Sequence, residues 1–143
     1  MKVAIICSID FAGEVDQIKQ LLESKGHILS VPYSIEKILQ GQMTLRQVAH
    51  MRKTGTFSDY AKSKDLIRWN WDRMKGSDAV LVVNLDKNGI KNYIGGNTFL
   101  EMGFAHITNM KIFLWNNIPE MIYTDEIKVM NPIILNQNID KIQ

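Results

Sequence analysis

Two consecutive glycines followed closely by a glutamate, in Ile94-Gly95-Gly96-Asn97-Thr98-Phe99-Leu100-Glu101, form the segment of this chain best suited to chemistry. Glycine lets backbone approach a ligand closely, and the free N–H groups of a helix start can hold a phosphate or hydroxyl oxygen. Glu101, one turn into such a helix, would point back toward the ligand. A carboxylate there can attack an anomeric carbon to form a glycosyl-enzyme, or stabilise an oxocarbenium-like centre, while a second carboxylate, for which Asp86 is the candidate, handles protons. The same residues have a plainer reading. Thr98-Phe99-Leu100-Glu101 fits a capping box, in which Glu101 bonds back to the Thr98 backbone and does no chemistry, and such boxes are far commoner than catalytic glutamates. Gly95-Gly96 also lacks the G-x-G-x-x-G spacing and the lysine of a phosphate loop.

The elements that must position these residues are legible as an alternation of strands and helices. Val3 to Cys7 is continuously apolar and β-branched, bounded by Ser8 and Asp10, as a strand buried on both faces reads; it is expected to be the first and central strand. Apolar residues at Val15, Ile18, Leu21 and Leu22 predict a helix over about 13–25, closed by Gly26. Ile28 to Val31, stopped by Pro32, is a second strand. Two strands joined by one helix must be parallel. Residues 34–53 show helical spacing in two pieces, 35–39 and 45–51, and Ser58 is placed to cap one helix running to Lys75. Ala79 to Asn84 is a buried strand followed by the turn Asp86-Lys87-Asn88-Gly89; a helix over 98–109, strands at 112–115 and 133–135 and a small helix within 119–130 complete the chain. The expected fold class is α/β: one domain over 1–143, a flavodoxin-like open parallel sheet of about five strands with helices on both faces.

Ligands of open parallel sheets bind outside the carboxyl ends of the strands. The loops there are 8–13, 84–97 and 116–119. They offer Ser8, Asp10, Phe11, Tyr93, Gly95, Gly96, Asn97 and Asn116 as substrate-binding candidates, of which Tyr93 could close over a base by stacking. Each also has a structural reading: a loop tyrosine is as often simply exposed, and Asn116 with Asn117 can merely shape the turn before Pro119. Arg68, Trp69 and Trp71 could line a pocket, although aromatic residues at such spacings more often belong to a core.

Composition narrows the partners. With 17 Lys and Arg against 15 Asp and Glu there is no strong field to gather nucleic acid or a membrane surface, so a small molecule is the expected partner. At 45% hydrophobic the 143 residues can bury a core without staples. The lone Cys7 suits a reducing, cytoplasmic compartment, the first apolar run reads as a strand and not a signal peptide, and no run approaches the roughly 20 apolar residues of a membrane-crossing helix. His27, His50 and His106 lack metal-ligand spacing, and neither a metal nor a cofactor is expected.

Three stretches in order, 77–86 (Ser-Asp-Ala-Val-Leu-Val-Val-Asn-Leu-Asp), 96–105 (Gly-Asn-Thr-Phe-Leu-Glu-Met-Gly-Phe-Ala) and 111–114 (Lys-Ile-Phe-Leu), resemble the nucleoside 2-deoxyribosyltransferase superfamily. That family shows a strand ending in Asp, a glycine-rich loop, then Thr, two residues, Glu, one residue, Gly, an aromatic residue and Ala. The resemblance covers 77–115 well, the first strand weakly and 34–75 hardly at all. It implies a flavodoxin-like sheet and cleavage or transfer at the N-glycosidic bond of a (deoxy)nucleoside or nucleotide. By motif position Glu101 falls where the family has its nucleophile and Asp86 near its acid/base or ribose-binding aspartate. The family's aspartate near Gly95 and its first-strand tyrosine are missing, with Ile6 and Cys7 in that strand. The resemblance also implies a homo-oligomer, dimer or larger, and the apolar helix Leu66 to Met74 offers a contact for it. Two other classes stay open: a non-catalytic nucleotide-binding or sensor domain of the same fold, and a hydrolase of a different nucleotide bond.

Overall fold

A computed structural model describes all residues 1–143. Its centre is a sheet of five parallel strands, β1 (Lys2–Cys7), β2 (Ile28–Ser30), β3 (Ala79–Val83), β4 (Lys111–Leu114) and β5 (Ile133–Ile134), in the order β2-β1-β3-β4-β5. The α/β class with an open parallel sheet is therefore the observed one. The middle position belongs to β3 and not to β1: all five residues of β3 are at most 1% exposed, because both of its faces and both of its edges are covered.

The period-two alternation of a strand sorts its side chains to opposite faces. Val3, Ile5, Leu81 and Val83 join one core with α1 (Ala12–Ser24), Ile35 of α2 (Tyr33–Leu39) and Val48 of α3 (Leu45–Thr54). Ala4, Ile6, Val80 and Val82 join the other core, with Met74 of α5 (Leu66–Met74), Met102 and Ala105 of α6 (Gly96–Ile107) and Ile127 of α7 (Thr124–Val129). Between these groups, α4 (Phe57–Ser63) buries no residue fully. No helix is long and apolar enough to cross a membrane.

Two helix starts differ from expectation. The single helix predicted to run from Ser58 to Lys75 is two helices, α4 and α5. The break is at Asp65, whose backbone is left-handed (φ 45°, ψ 57°) and whose carboxylate accepts a bond from the Arg68 N–H at 3.4 Å, starting a new helix. Ser58 lies inside α4 and caps nothing; Thr56 stands at that end. The capping box expected at Thr98 is absent, because α6 begins two residues earlier, with Gly95 as its N-cap and no side-chain cap. A reciprocal box exists elsewhere, between Thr44 and Gln47 at the start of α3, with bonds of 2.9 and 3.1 Å. Residues 34–53, in contrast, form the two helical pieces expected.

The chain leaves β1 for β2 on one side, then returns past it to add β3, β4 and β5 on the other. Such a reversal opens a crevice at the carboxyl ends of the two strands flanking it. Here the long connection from β2 to β3, carrying α2 to α5, forms one wall of that crevice.

Candidate active site

A cavity of about 690 Å³ occupies this crevice, a size that accommodates a small organic ligand. Cys7 and Ser8 reach it from the end of β1, Lys87 and Tyr93 from the loop after β3, Gly95 to Thr98 and Glu101 from α6, and Arg52, Phe57 and Asn70 from the helical wall.

Glu101 lies at this cavity and is only 6% exposed. It is not folded back on its own helix end: it makes no bond to Thr98, and the carboxyl's environment is set by burial and by the charge of Arg73. Burial disfavours the ionised form and lifts the carboxyl from 4.5 to about 7, against the opposing pull of the Arg73 guanidinium. Near neutral pH the group is thus divided between acid and carboxylate, which suits it to either nucleophilic or proton-transfer work. Burial also raises the neighbouring Cys7 thiol, and the Glu101 charge adds to the rise, so Cys7 stays protonated and is a poor nucleophile.

The α6 start is held firmly. The ring of Phe99 stacks on Tyr123 at 4.4 Å, and the Tyr123 hydroxyl donates to the carbonyl of the buried Ile94. Beyond Ile94, the first turn of α6 has no side-chain cap, so its N–H groups are free for a ligand at Gly96, Asn97 and Thr98. Gly95 has a close neighbour: a Cβ there would lie 3.2 Å from Tyr93 Cε1. Gly95→Ala is expected to push the Tyr93 ring aside, weakening ligand binding several-fold while costing the free protein no more than about 0.5 kcal/mol. At Gly96 a Cβ would meet nothing within 4 Å, so Gly96→Ala leaves the free protein intact and obstructs only a ligand at the amides. Ligand-induced melting shifts of the two variants, beside their unliganded melting temperatures, check both statements.

Across the mouth, the Lys87 ammonium donates to Ser8 Oγ at 2.8 Å and pairs with Asp10 at 2.5 Å, with the Tyr93 ring centroid 5.3 Å away. Arg52 reaches the same Asp10 carboxylate at 3.5 Å. Burial alone would raise Asp10, but Lys87 and Arg52 outweigh it and hold its carboxyl below the usual range, ionised and occupied. The two cations line the cavity; Asp10 ties them together from outside its wall. The chain matches no family model, no curated protein and no solved structure.

The structure brings Ser8, Tyr93, Gly95, Gly96, Asn97 and Glu101 to one cavity. It does not bring Asp86, Asp10, Phe11 or Asn116 to its wall. Asp86 is exposed and accepts the Asn92 N–H at 2.9 Å, bracing the loop that carries Lys87 and Tyr93. Phe11 ends a short 3₁₀ turn (Ile9–Phe11) that rotates it into the core at 6% exposure. The Asn116 side chain donates to the carbonyl of the buried Asn84 at 3.0 Å and accepts from Gln137, shaping the turn after β4. Trp71 packs edge-on against Phe104 at 5.6 Å and Trp69 against Tyr33 at 5.1 Å, so neither lines the cavity. Of the face proposed for self-association, Met74 is fully buried, and Leu66 and Ile67 both line the cavity, Ile67 with 54% of its surface exposed.

Lys87, Arg52 and Arg73 were not anticipated as site residues. Lys87 had a signal, standing next to Asp86 in a turn beyond a strand end. Arg73 had a fainter one: Leu66, Asn70 and Arg73 share a helical face, and polar residues on an otherwise inward stripe face something other than core.

Proposed function

We propose that this protein cleaves or transfers at the N-glycosidic bond of a (deoxy)nucleoside or nucleotide, with Glu101 as the reacting carboxylate. The observation that carries the proposal is the state of that group: nearly buried, free of its own helix end, beside a cavity of ligand size, and poised near neutrality. The ionised form attacks the anomeric carbon as the carbon–nitrogen bond breaks. The base departs with the bonding electron pair and takes up a proton from solvent. Water or a second base then attacks the same carbon, gives up its proton to solvent and restores the carboxylate. Tyr93 offers a ring for the base to stack on, and the open amides of α6 offer donors to sugar or phosphate oxygens. Proton delivery is not assigned to Asp86, which braces its own loop. The resemblance of 77–115 to the 2-deoxyribosyltransferase superfamily supports the same reading.

The test is incubation with a panel of nucleosides and their 5′-monophosphates, with chromatography for free or exchanged base. Turnover that disappears in Glu101→Ala supports the proposal; no turnover with any member defeats it. The second carboxylate at the cavity wall, Asp65, is already engaged by Arg68 Nε at 3.0 Å, which favours one other reading, a nucleotide-binding domain without catalysis. Thermal stabilisation by a panel member that is never cleaved would identify that case.

A further inference from the structure

Arg73, itself only partly buried, carries the only buried side-chain nitrogens in the molecule without a hydrogen-bond partner. It extends from the last turn of α5 beneath the cavity wall, and its Nη1 donates to both the carbonyl and the hydroxyl of Ser30, each at 3.1 Å, at the carboxyl end of β2. The adjacent Met74 is fully buried in the sheet core, so the root of the side chain is fixed. Its Nε and Nη2 are sealed from solvent and have no partner. Buried donors are almost always paired, and a guanidinium cannot escape by losing its proton. The groups whose charge reaches Arg73 are Glu101 on α6, Cys7 on β1 and Glu36 on α2. Cys7 stays neutral, which leaves two carboxylates, and of these Glu101 is the one at the cavity.

We infer that Arg73 is a positioning residue for Glu101, anchored on Ser30 so that its two unpaired nitrogens stay available to the reacting carboxylate and its fixed charge favours the ionised form at the cavity. The guanidinium is not within ion-pairing distance of Glu101 in the unliganded protein. Its charge acts on Glu101 through space, and the more strongly once a ligand displaces solvent from around the carboxylate, when a nearby fixed cation counts most. The inference rests on the reading of Glu101 as the reacting group. It also explains the polar break in the inward face of α5, and the use of arginine, whose fork can hold Ser30 with one nitrogen and present two others.

The experiment follows the Glu101 carboxyl directly, by carbon-13 NMR titration of side-chain-labelled protein, with no turnover required. Arg73→Gln is expected to move the Glu101 midpoint upward by about one pH unit, and Arg73→Lys to restore most of that displacement. If activity is found, kcat should fall about tenfold in Arg73→Gln at pH 7 with KM little changed, and the acid limb of the pH profile should move with the NMR midpoint. An unmoved midpoint in folded Arg73→Gln overturns the inference, leaving Arg73 as a tie to Ser30. Should Arg73→Gln fail to fold, the wild-type protein decides. The nitrogen-15 signal of Arg73 Nε should titrate with the Glu101 midpoint and lose that transition in Glu101→Gln; an Nε signal blind to Glu101 refutes the role. Absence of turnover while both titrations agree would count against the glycosidic reading and leave the coupling standing.

Discussion

Replacing Glu101 by glutamine is expected to abolish base release, a loss of at least about a thousandfold, and at the same time to make the folded protein more stable above neutral pH. The two effects have one cause. The carboxyl titrates at 4.5 when exposed and at about 7 in the folded protein, because folding strips water from it. A midpoint raised by folding means that the protonated form is the one the fold tolerates. The wild-type protein therefore has its full margin below pH 4.5 and loses it as pH rises through about 7. Over that interval the penalty approaches about 3 kcal/mol, net of the attraction of Arg73 for the carboxylate. Glutamine, which never ionises, is spared it. The gap in unfolding free energy between Glu101→Gln and wild type should be near zero at pH 4.5 and open on the alkaline side. Denaturant melts at pH 4.5, 6, 7 and 8.5 measure it. A gap of constant size would show that the carboxyl is not desolvated, and the account of the site would go with it.

Asn84→Ala is expected to lower the melting temperature by about 10 °C, a loss of about 3 kcal/mol, although Asn84 touches no ligand-facing group. This fully buried side chain closes the end of β3 against the turn after β4. Its Oδ1 accepts the Asn116 N–H at 2.9 Å, and its Nδ2 donates to the Asn117 carbonyl at 2.9 Å and, more weakly, to the Asn116 carbonyl at 3.4 Å. Alanine removes one acceptor and two donor bonds at once and leaves the Asn116 N–H and the Asn117 carbonyl without partners. Asn84→Asp should be no better, since it keeps the acceptor but turns a carboxylate toward two carbonyl oxygens. A melting temperature within a degree or two of wild type in Asn84→Ala would mean that the clasp contributes little and that water replaces it readily.

The strands were the easiest part of the sequence to read, for a physical reason. A strand covered on both faces has no polar side to show, so Val3 to Cys7 and Ala79 to Val83 appear as unbroken apolar runs that only a parallel sheet accommodates. The helix break at Asp65 was hidden because helical spacing on either side of it conceals the one residue that leaves the right-handed region. Loop residues were harder still. Asp86 stands where a ligand carboxylate should, but a short side chain in a tight loop finds a backbone amide first. Phe11 was drawn into the site by its address between Asp10 and the first helix, yet an apolar ring beside a core goes into it. Arg73 left only the faint trace of a polar residue on an inward helical stripe, because its importance lies in two nitrogens without partners, which only coordinates reveal.

The two sides of the cavity are built to different standards of firmness. Glu101 and Cys7 belong to elements pinned in the sheet, whereas the opposite side, from Arg52 to Asn70, has α4 at its middle, a helix that anchors nothing deep in the interior. Such a segment opens locally at low cost while the sheet stays intact. Exchange of one small molecule for another can then be tuned by altering Phe57, Ala61 or Asn70, with the reacting end of the chamber left as it is.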